Sequence, residues 1–292
     1  MTPLFMKEAD GNVICNLCPN NCNIKNSHFG SCGVRGNKNG KGIIPLYGFV
    51  SALAVDPIEK KPLYHFKPGS KILSLGFLGC NLHCPFCQNW YISQNTDISE
   101  QPDSQNKWLK PEAIISAALN QNTPSIAYTY SEPLVHIEYV LECMALARKH
   151  GIANVLVTNG CANAQAAEKI LELTDAANID LKSFNEETYR KCLKGDLNTV
   201  LDFIKLAHKM GVHIEITTLV VPDLNDSAGE LDAAAQFIAS VDSKIPWHLT
   251  AYHPDYRWNA PPTDPAFLIR CAKEAEKKLA CVHTGNISTL KP

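Results

Sequence analysis

From residue 67 onward, short apolar runs of strand length alternate with longer stretches of helical periodicity, and this alternation leaves few architectures open. Strands are expected at 72–78, 126–130, 154–158, 177–181, 212–220 and 248–252. Helices are expected between them at 111–119, 134–149, 164–173, 186–193, 199–210 and 228–241. Leu134, Ile137, Leu141 and Met144 recur at the spacing that gives one of these helices a buried face. Strand–helix repeats in series imply a parallel sheet joined by right-handed crossovers. The expected class is α/β, a partial (β/α)6 barrel.

Catalytic groups in parallel β-α barrels sit at the carboxyl ends of the strands, where the βα loops converge. The first expected strand runs into Cys80-Asn81-Leu82-His83-Cys84-Pro85-Phe86-Cys87. A closed zinc or iron-sulfur site takes four protein ligands. A loop with three thiols therefore points to a metal centre with one position free for chemistry.

The residues before the barrel are rich in Gly, Asn and Cys and have only short apolar runs. Division at residue 66 is expected, with 1–66 a Cys-rich metal-binding module and 67–292 the core domain. Cys15, Cys18, Cys22 and Cys32 are enough to close a second, four-thiolate site, either zinc or iron-sulfur. Arg35 and its neighbouring glycines suit a tight metal-binding turn. Cys143, Cys161, Cys192, Cys271 and Cys281 are scattered, and most are expected to be small buried hydrophobes, with Cys161 near the barrel mouth.

Composition narrows the setting. A net charge of -2 gives no electrostatic reason to bind nucleic acid or an anionic membrane. The first residues lack a signal-peptide pattern, and no apolar run is long enough to span a bilayer. A cytoplasmic protein is expected. There, twelve cysteines read as metal ligands and reduced thiols rather than disulfides, with oxygen sensitivity and anaerobic chemistry as the consequence.

The three-Cys loop resembles the signature of the radical S-adenosylmethionine (SAM) superfamily. The resemblance implies that Cys80, Cys84 and Cys87 hold three irons of a 4Fe-4S cluster, that SAM chelates the fourth, and that Phe86 lies beside the adenine. Together with Cys15-x2-Cys18-Pro19-x2-Cys22, the run Asp56-Pro57-Ile58-Glu59-Lys60-Lys61-Pro62-Leu63-Tyr64-His65-Phe66 and Cys87-Gln88-Asn89, the loop is similar to the AmmeMemoRadiSam system radical SAM enzyme family, relatives of pyruvate formate-lyase activating enzyme. Members of that family often end in a further Cys-rich tail, which is not found before Pro292.

Further site residues follow from the resemblance. Glu132, in Tyr130-Ser131-Glu132-Pro133, matches the acid of a Gly-Gly-Glu loop that meets the SAM amino group. Thr158-Asn159-Gly160 and Asp180-Leu181-Lys182 resemble segments lining the SAM site of glycyl-radical-enzyme activases, with Lys182 paired to the SAM carboxylate and Asp180 nearby. Val157 stands where many activases have an Asp that helps hold a cation. Val220 and Val221 would wall the adenine. His253, in a Tyr-His pair after the last expected strand, is a candidate contact to SAM or substrate and a candidate proton-transfer group; no other catalytic residue is named. Trp247, Tyr256 and Trp258 flank it, Trp247 as core.

The function implied is an oxidoreductase-type radical SAM enzyme. It would cleave SAM reductively to a 5'-deoxyadenosyl radical and abstract hydrogen from an unidentified protein or small-molecule substrate. Acting as a glycyl-radical-enzyme activase is one form of that reading, and an electron donor such as flavodoxin or ferredoxin is implied. The alternative is a noncatalytic iron-sulfur or zinc protein in electron transfer or partner binding.

Overall fold

A computed structural model describes residues 3–97, 99 and 107–287. Strands β1 (Met6–Ala9), β2 (Asn12–Cys15) and β3 (Cys22–Ile24) make a small antiparallel sheet, and β4 (Gly36–Lys38) and β5 (Lys41–Ile43) a hairpin. Next come β6 (Ala52–Pro57), β7 (Lys71–Gly76), α1 (Trp90–Ser93), α2 (Pro111–Asn120), β8 (Ser125–Thr129), α3 (Ile137–Lys149) and β9 (Ala153–Thr158). The chain continues through α4 (Ala164–Leu171), β10 (Ala176–Asp180), α5 (Leu197–Lys209), β11 (His213–Val220), α6 (Ala228–Asp242), β12 (Trp247–Ala251), α7 (Pro265–Ala275) and β13 (Val282–Gly285).

Strands β6 to β13 form one eight-stranded sheet in sequence order. All its pairings are parallel except β6 with β7. The six expected strands are β7 to β12. They read as apolar runs because both faces are covered: all of β8, and β7 after Lys71, are buried. β6 and β13 extend the expected six. β6 is an edge strand of alternating exposure ending in Pro57, a residue tolerated where no ladder donor is needed. Because β6 is hydrogen-bonded to β7 along Ala52–Pro57, a division at residue 66 separates two paired strands.

The helices start where local chemistry starts them. Asp196, Ser227 and Asp264 accept backbone N–H bonds at the N-termini of α5, α6 and α7. Pro111 and Pro265 occupy first-turn positions where no amide donor is needed. The helix expected from 134 begins as a 3-10 turn at Pro133–His136, and Leu141 is only half buried, the face being carried by Val140, Cys143, Met144 and Ala147. The helix expected at 186–193 is a π turn over Thr188–Leu193, closed by Lys194 at φ 59°. α7, with Leu268, Cys271, Ala272 and Ala275 buried at helical spacing, was legible but not among the expected elements.

In the N-terminal part, β1–β2 and β4–β5 turn at Asp10-Gly11 and Asn39-Gly40, where both central residues have positive φ, the backbone of a tight hairpin. Arg35 lies beside the N-terminal thiols, its guanidinium near Cys15 and its backbone amide near Cys32, and it also reaches the barrel. It is buried and makes a two-pronged ion pair with Glu138 of α3, both contacts at 2.8 Å, while also donating to the Leu4 carbonyl. This pair pins the N-terminal part to the barrel.

Candidate active site

Cys80, Cys84 and Cys87 lie in the loop after β7. They open on a cavity of about 310 Å³ at the carboxyl end of the sheet. Groups from four further strand ends line it: Ser131 and Glu132 after β8, Asn159 after β9, Asp180 and Lys182 around the end of β10, and Leu219 in β11. Phe86, buried, supplies apolar wall, as does Val157. Segments scattered over the sequence meet here because every crossover returns the chain in the same direction.

Glu132 is fully buried and already engaged. One carboxylate oxygen accepts from the Leu134 amide (3.0 Å) and the Thr158 hydroxyl (2.7 Å), the other from the Asn159 amide (2.8 Å). Burial raises its carboxyl to about 7, against the pull of these hydrogen bonds. Thr158 therefore meets Glu132 rather than the cavity. Asn159 lines the cavity and donates to the Cys80 sulfur (3.6 Å) and to Asn81 (2.9 Å). Asp180 and Lys182 pair at 2.9 Å. Burial works to lower the Lys182 ammonium, but Asp180 and the thiols of Cys84 and Cys87 hold it above its ordinary value.

Two expected contacts fall elsewhere. Val220 is buried on the other face of β11. Side chains alternate along a strand, so Leu219 and not Val220 lines the cavity, and Val221, just past the end of β11, is buried outside the lining. His253 lies two residues past the end of β12, exposed and outside the cavity lining. Trp247 is buried core, its indole donating to Thr218. Tyr256 stacks on Trp90 and Trp258 donates to the Pro222 carbonyl, both outside the cavity lining. Cys161 is buried and also outside it.

The sequence reading missed a buried polar group beside the cavity. Lys61, 3% exposed, donates to Asp56 (2.8 Å) and stands 4.3 Å from the centre of the Tyr130 ring, whose hydroxyl donates to the same Asp56 oxygen (2.7 Å). Burial alone would raise the Asp56 carboxyl, but Lys61, Tyr130 and Ser74 hold it below the usual range. Tyr130 has φ 69°, a conformation that costs a non-glycine residue energy. The anchored ring and the bond from Asn89 to its carbonyl (2.8 Å) hold it there. The signal was the pair Lys60-Lys61 before Pro62, all of which line the cavity.

The N-terminal thiols sit against the core loop. Asn20 donates to the Asn81 carbonyl (3.1 Å), Ser31 meets His83 (2.9 Å), and a side chain at Gly79 would strike the Cys32 carbonyl at 2.6 Å. Burial pushes the Cys18 and Cys84 thiols up to about 12, and raises Cys32 and Cys80 as well. Metal loading at either set must therefore release thiol protons. Among the described residues, neither Cys set draws three sulfurs within 4.8 Å of one another. Four thiolates on one zinc would lie about 3.8 Å apart, given Zn–S of about 2.3 Å. Neither set is therefore drawn together as tightly as four ligands of a single ion would be.

The cavity also carries polar atoms that await a partner. The Gln88 amide nitrogen and the Ser131 hydroxyl are buried and have no hydrogen-bond partner among the described residues. Buried groups of this kind are costly unless a ligand satisfies them. With three thiols, an acid, an amine and an aromatic wall around the space, the donor set fits a cluster with a charged, amino-acid-bearing ligand.

Comparison with known proteins agrees with this geometry. The family model described as "Radical SAM superfamily" matches residues 75–237. The chain is 38% identical to "Uncharacterized protein MJ0808" of Methanocaldococcus jannaschii over 97% of its own length and 84% of that protein. It is 25% identical to the pyruvate formate-lyase-activating enzyme of Clostridium pasteurianum, over 61% of this chain and 73% of that one. Among solved structures, a radical SAM methyltransferase from Sphaerobacter thermophilus superimposes with a TM-score of 0.58 at 11% identity, covering 75% of this chain and 67% of that one, a likeness of fold.

Proposed function

The chain belongs to the radical SAM superfamily, and from that premise we propose that Cys80, Cys84 and Cys87 hold three irons of its 4Fe-4S cluster, with SAM and a substrate taken into the cavity beside them. The cluster, when bound, supplies the electron that splits SAM to methionine and a 5'-deoxyadenosyl radical, which removes a hydrogen from substrate. The observation that carries this reading is the shared cavity: the three-thiol loop and groups from four other strand ends line one space.

The chain's own residues bind and orient. Glu132 has acceptor capacity left at the oxygen that takes only the Asn159 amide, and this suits the SAM ammonium. Thr158, Asn159 and Leu134 keep that carboxylate from rotating. Lys182 suits the SAM carboxylate, and Phe86 and Leu219 offer apolar surface to the adenine. Anaerobically reconstituted, reduced protein is expected to convert SAM to 5'-deoxyadenosine; no product above a cluster-free control would end this reading. Substrate is then sought by adding cell extract in heavy water and following hydrogen exchange into 5'-deoxyadenosine. Similarity to a pyruvate formate-lyase-activating enzyme supports testing protein substrates first, with flavodoxin or ferredoxin as reductant.

Lys182→Met is expected to keep the iron-sulfur absorbance while SAM affinity falls tenfold or more, since a charge-assisted hydrogen bond is worth about 1.5–3 kcal/mol. SAM titration of the reduced variant checks this, and unchanged affinity would assign the carboxylate to another group.

Cys15, Cys18, Cys22 and Cys32 are assigned to a second, closed iron-sulfur cluster, supported by their number and by the contact of their loops with the core loop, which suits passage of electrons inward. Cys18→Ala is expected to lower iron content and electron supply while SAM still binds at the core. Iron and zinc analysis decides: zinc in place of iron at this site overturns the cluster.

A further inference from the structure

The loop between β6 and β7 crosses the foot of the barrel, Pro57 pairing with Lys71 at the start of β7. Lys60, Lys61 and Pro62 line the cavity, yet the amides of Tyr64 and His65 reach Glu215, near the start of β11, at 3.1 and 2.8 Å. Glu215 is fully buried and also accepts from His248 at 2.6 Å, near the start of β12. The His248 ring stacks on that of His283 in β13, centres 4.9 Å apart. His65 is thereby delivered to the start of β13.

There, His65 Nε2 and His283 Nε2 are 2.9 Å apart, and Cys281 Sγ is 3.2 and 3.1 Å from them. Hydrogen bonds do not account for this triangle. Each Nε2 has one directional lobe, used either to donate or to accept, so neither ring can serve two neighbours at once. A cation near the centre satisfies all three atoms together. Among the described residues this is the one place where three metal-ligating atoms lie within 4.8 Å of one another.

We infer that His65, Cys281 and His283 form a binding site for a divalent cation of the zinc class, outside the radical chemistry. Two imidazoles and a thiolate are the donors such ions prefer over calcium or magnesium. Tetrahedral zinc, with bonds of about 2.0–2.3 Å, sets its ligand atoms about 3.4–3.6 Å apart, so loading asks each pair to open by a few tenths of an ångström. The fourth position is left to water from an adjoining cavity of about 240 Å³, which His65 and Cys281 line. The ion clips the loop after edge strand β6 to the opposite edge strand, β13, and so ties the cavity-lining segment across the foot of the open barrel. Cys281 is thus a ligand and not a buried hydrophobe.

The test adds zinc ion to anaerobic holoprotein, removes the excess by desalting, and measures zinc and iron. The parent is expected to keep about one zinc per chain, with a nitrogen and sulfur shell by X-ray absorption at the zinc edge. Cys281→Ser and His65→Asn should each lose it, Cys281→His should keep it, and iron content should stay at the parent level in all three as the check on folding. A parent without retained zinc overturns the site. So does zinc that persists in Cys281→Ser and His65→Asn, or that is lost instead in Cys18→Ala.

Discussion

Cys84→Ala is expected to abolish both the core 4Fe-4S spectrum and formation of 5'-deoxyadenosine. Three thiols are the whole protein contribution to an open cluster, so removing one leaves two where the site already has one position without a protein ligand. Cys84 is the buried member of the three, in a loop whose neighbour His83 is held by the Leu193 carbonyl (2.8 Å). Among the scattered cysteines, Cys192 is half buried, Cys161 serves the loop only through its carbonyl, and neither lines the cavity. The measurement is iron content, visible absorbance and product by chromatography, beside a Cys143→Ala control, whose thiol is buried under α3 away from the cavity. Product at the parent rate from Cys84→Ala would show that the cluster is held elsewhere.

Glu138→Ala is expected to destabilise the fold by about 3–5 kcal/mol, the cost of leaving one member of a buried ion pair without its partner. Arg35 and Glu138 have side chains 1% and 2% exposed, so water cannot replace the lost carboxylate. The same carboxylate accepts the Leu4 amide at 2.6 Å, so a second bond goes with it. Urea unfolding of the cluster-loaded protein should show a large fall in midpoint, and the paired change Arg35→Met with Glu138→Leu should recover part of it, because an apolar pair needs no partner charge. A midpoint equal to the parent's would mean that the N-terminal part is held on by other contacts.

Much of the barrel was legible before the structure. Strands buried on both faces must be apolar throughout, and their helices must be apolar on one face, so β7 to β12 and the helices between them stand out as a pattern. The hairpin turns at Asp10-Gly11 and Asn39-Gly40 carried a readable signal but were not among the expected elements. β6 was not legible, because an edge strand of alternating exposure in a loop-rich segment resembles its surroundings.

The sequence by itself determined the class of fold, the three-thiol loop at the first strand end, and the acid, amide and amine at the ends that follow, since each depends on residues near one another in the chain. Tertiary structure decided what each group faces. Leu219 rather than Val220 lines the cavity because a one-residue change of register turns a side chain to the other side of the sheet, and where both sides are apolar the pattern does not say which is inside. Arg35 with Glu138, Lys61 with Tyr130, and His65 with His283 are joined across separations of 103, 69 and 218 residues. The physical reason is that the burial of a charge and the choice of its partner follow from what packs over it, and that is known only once distant strands have been brought to the same end of one barrel.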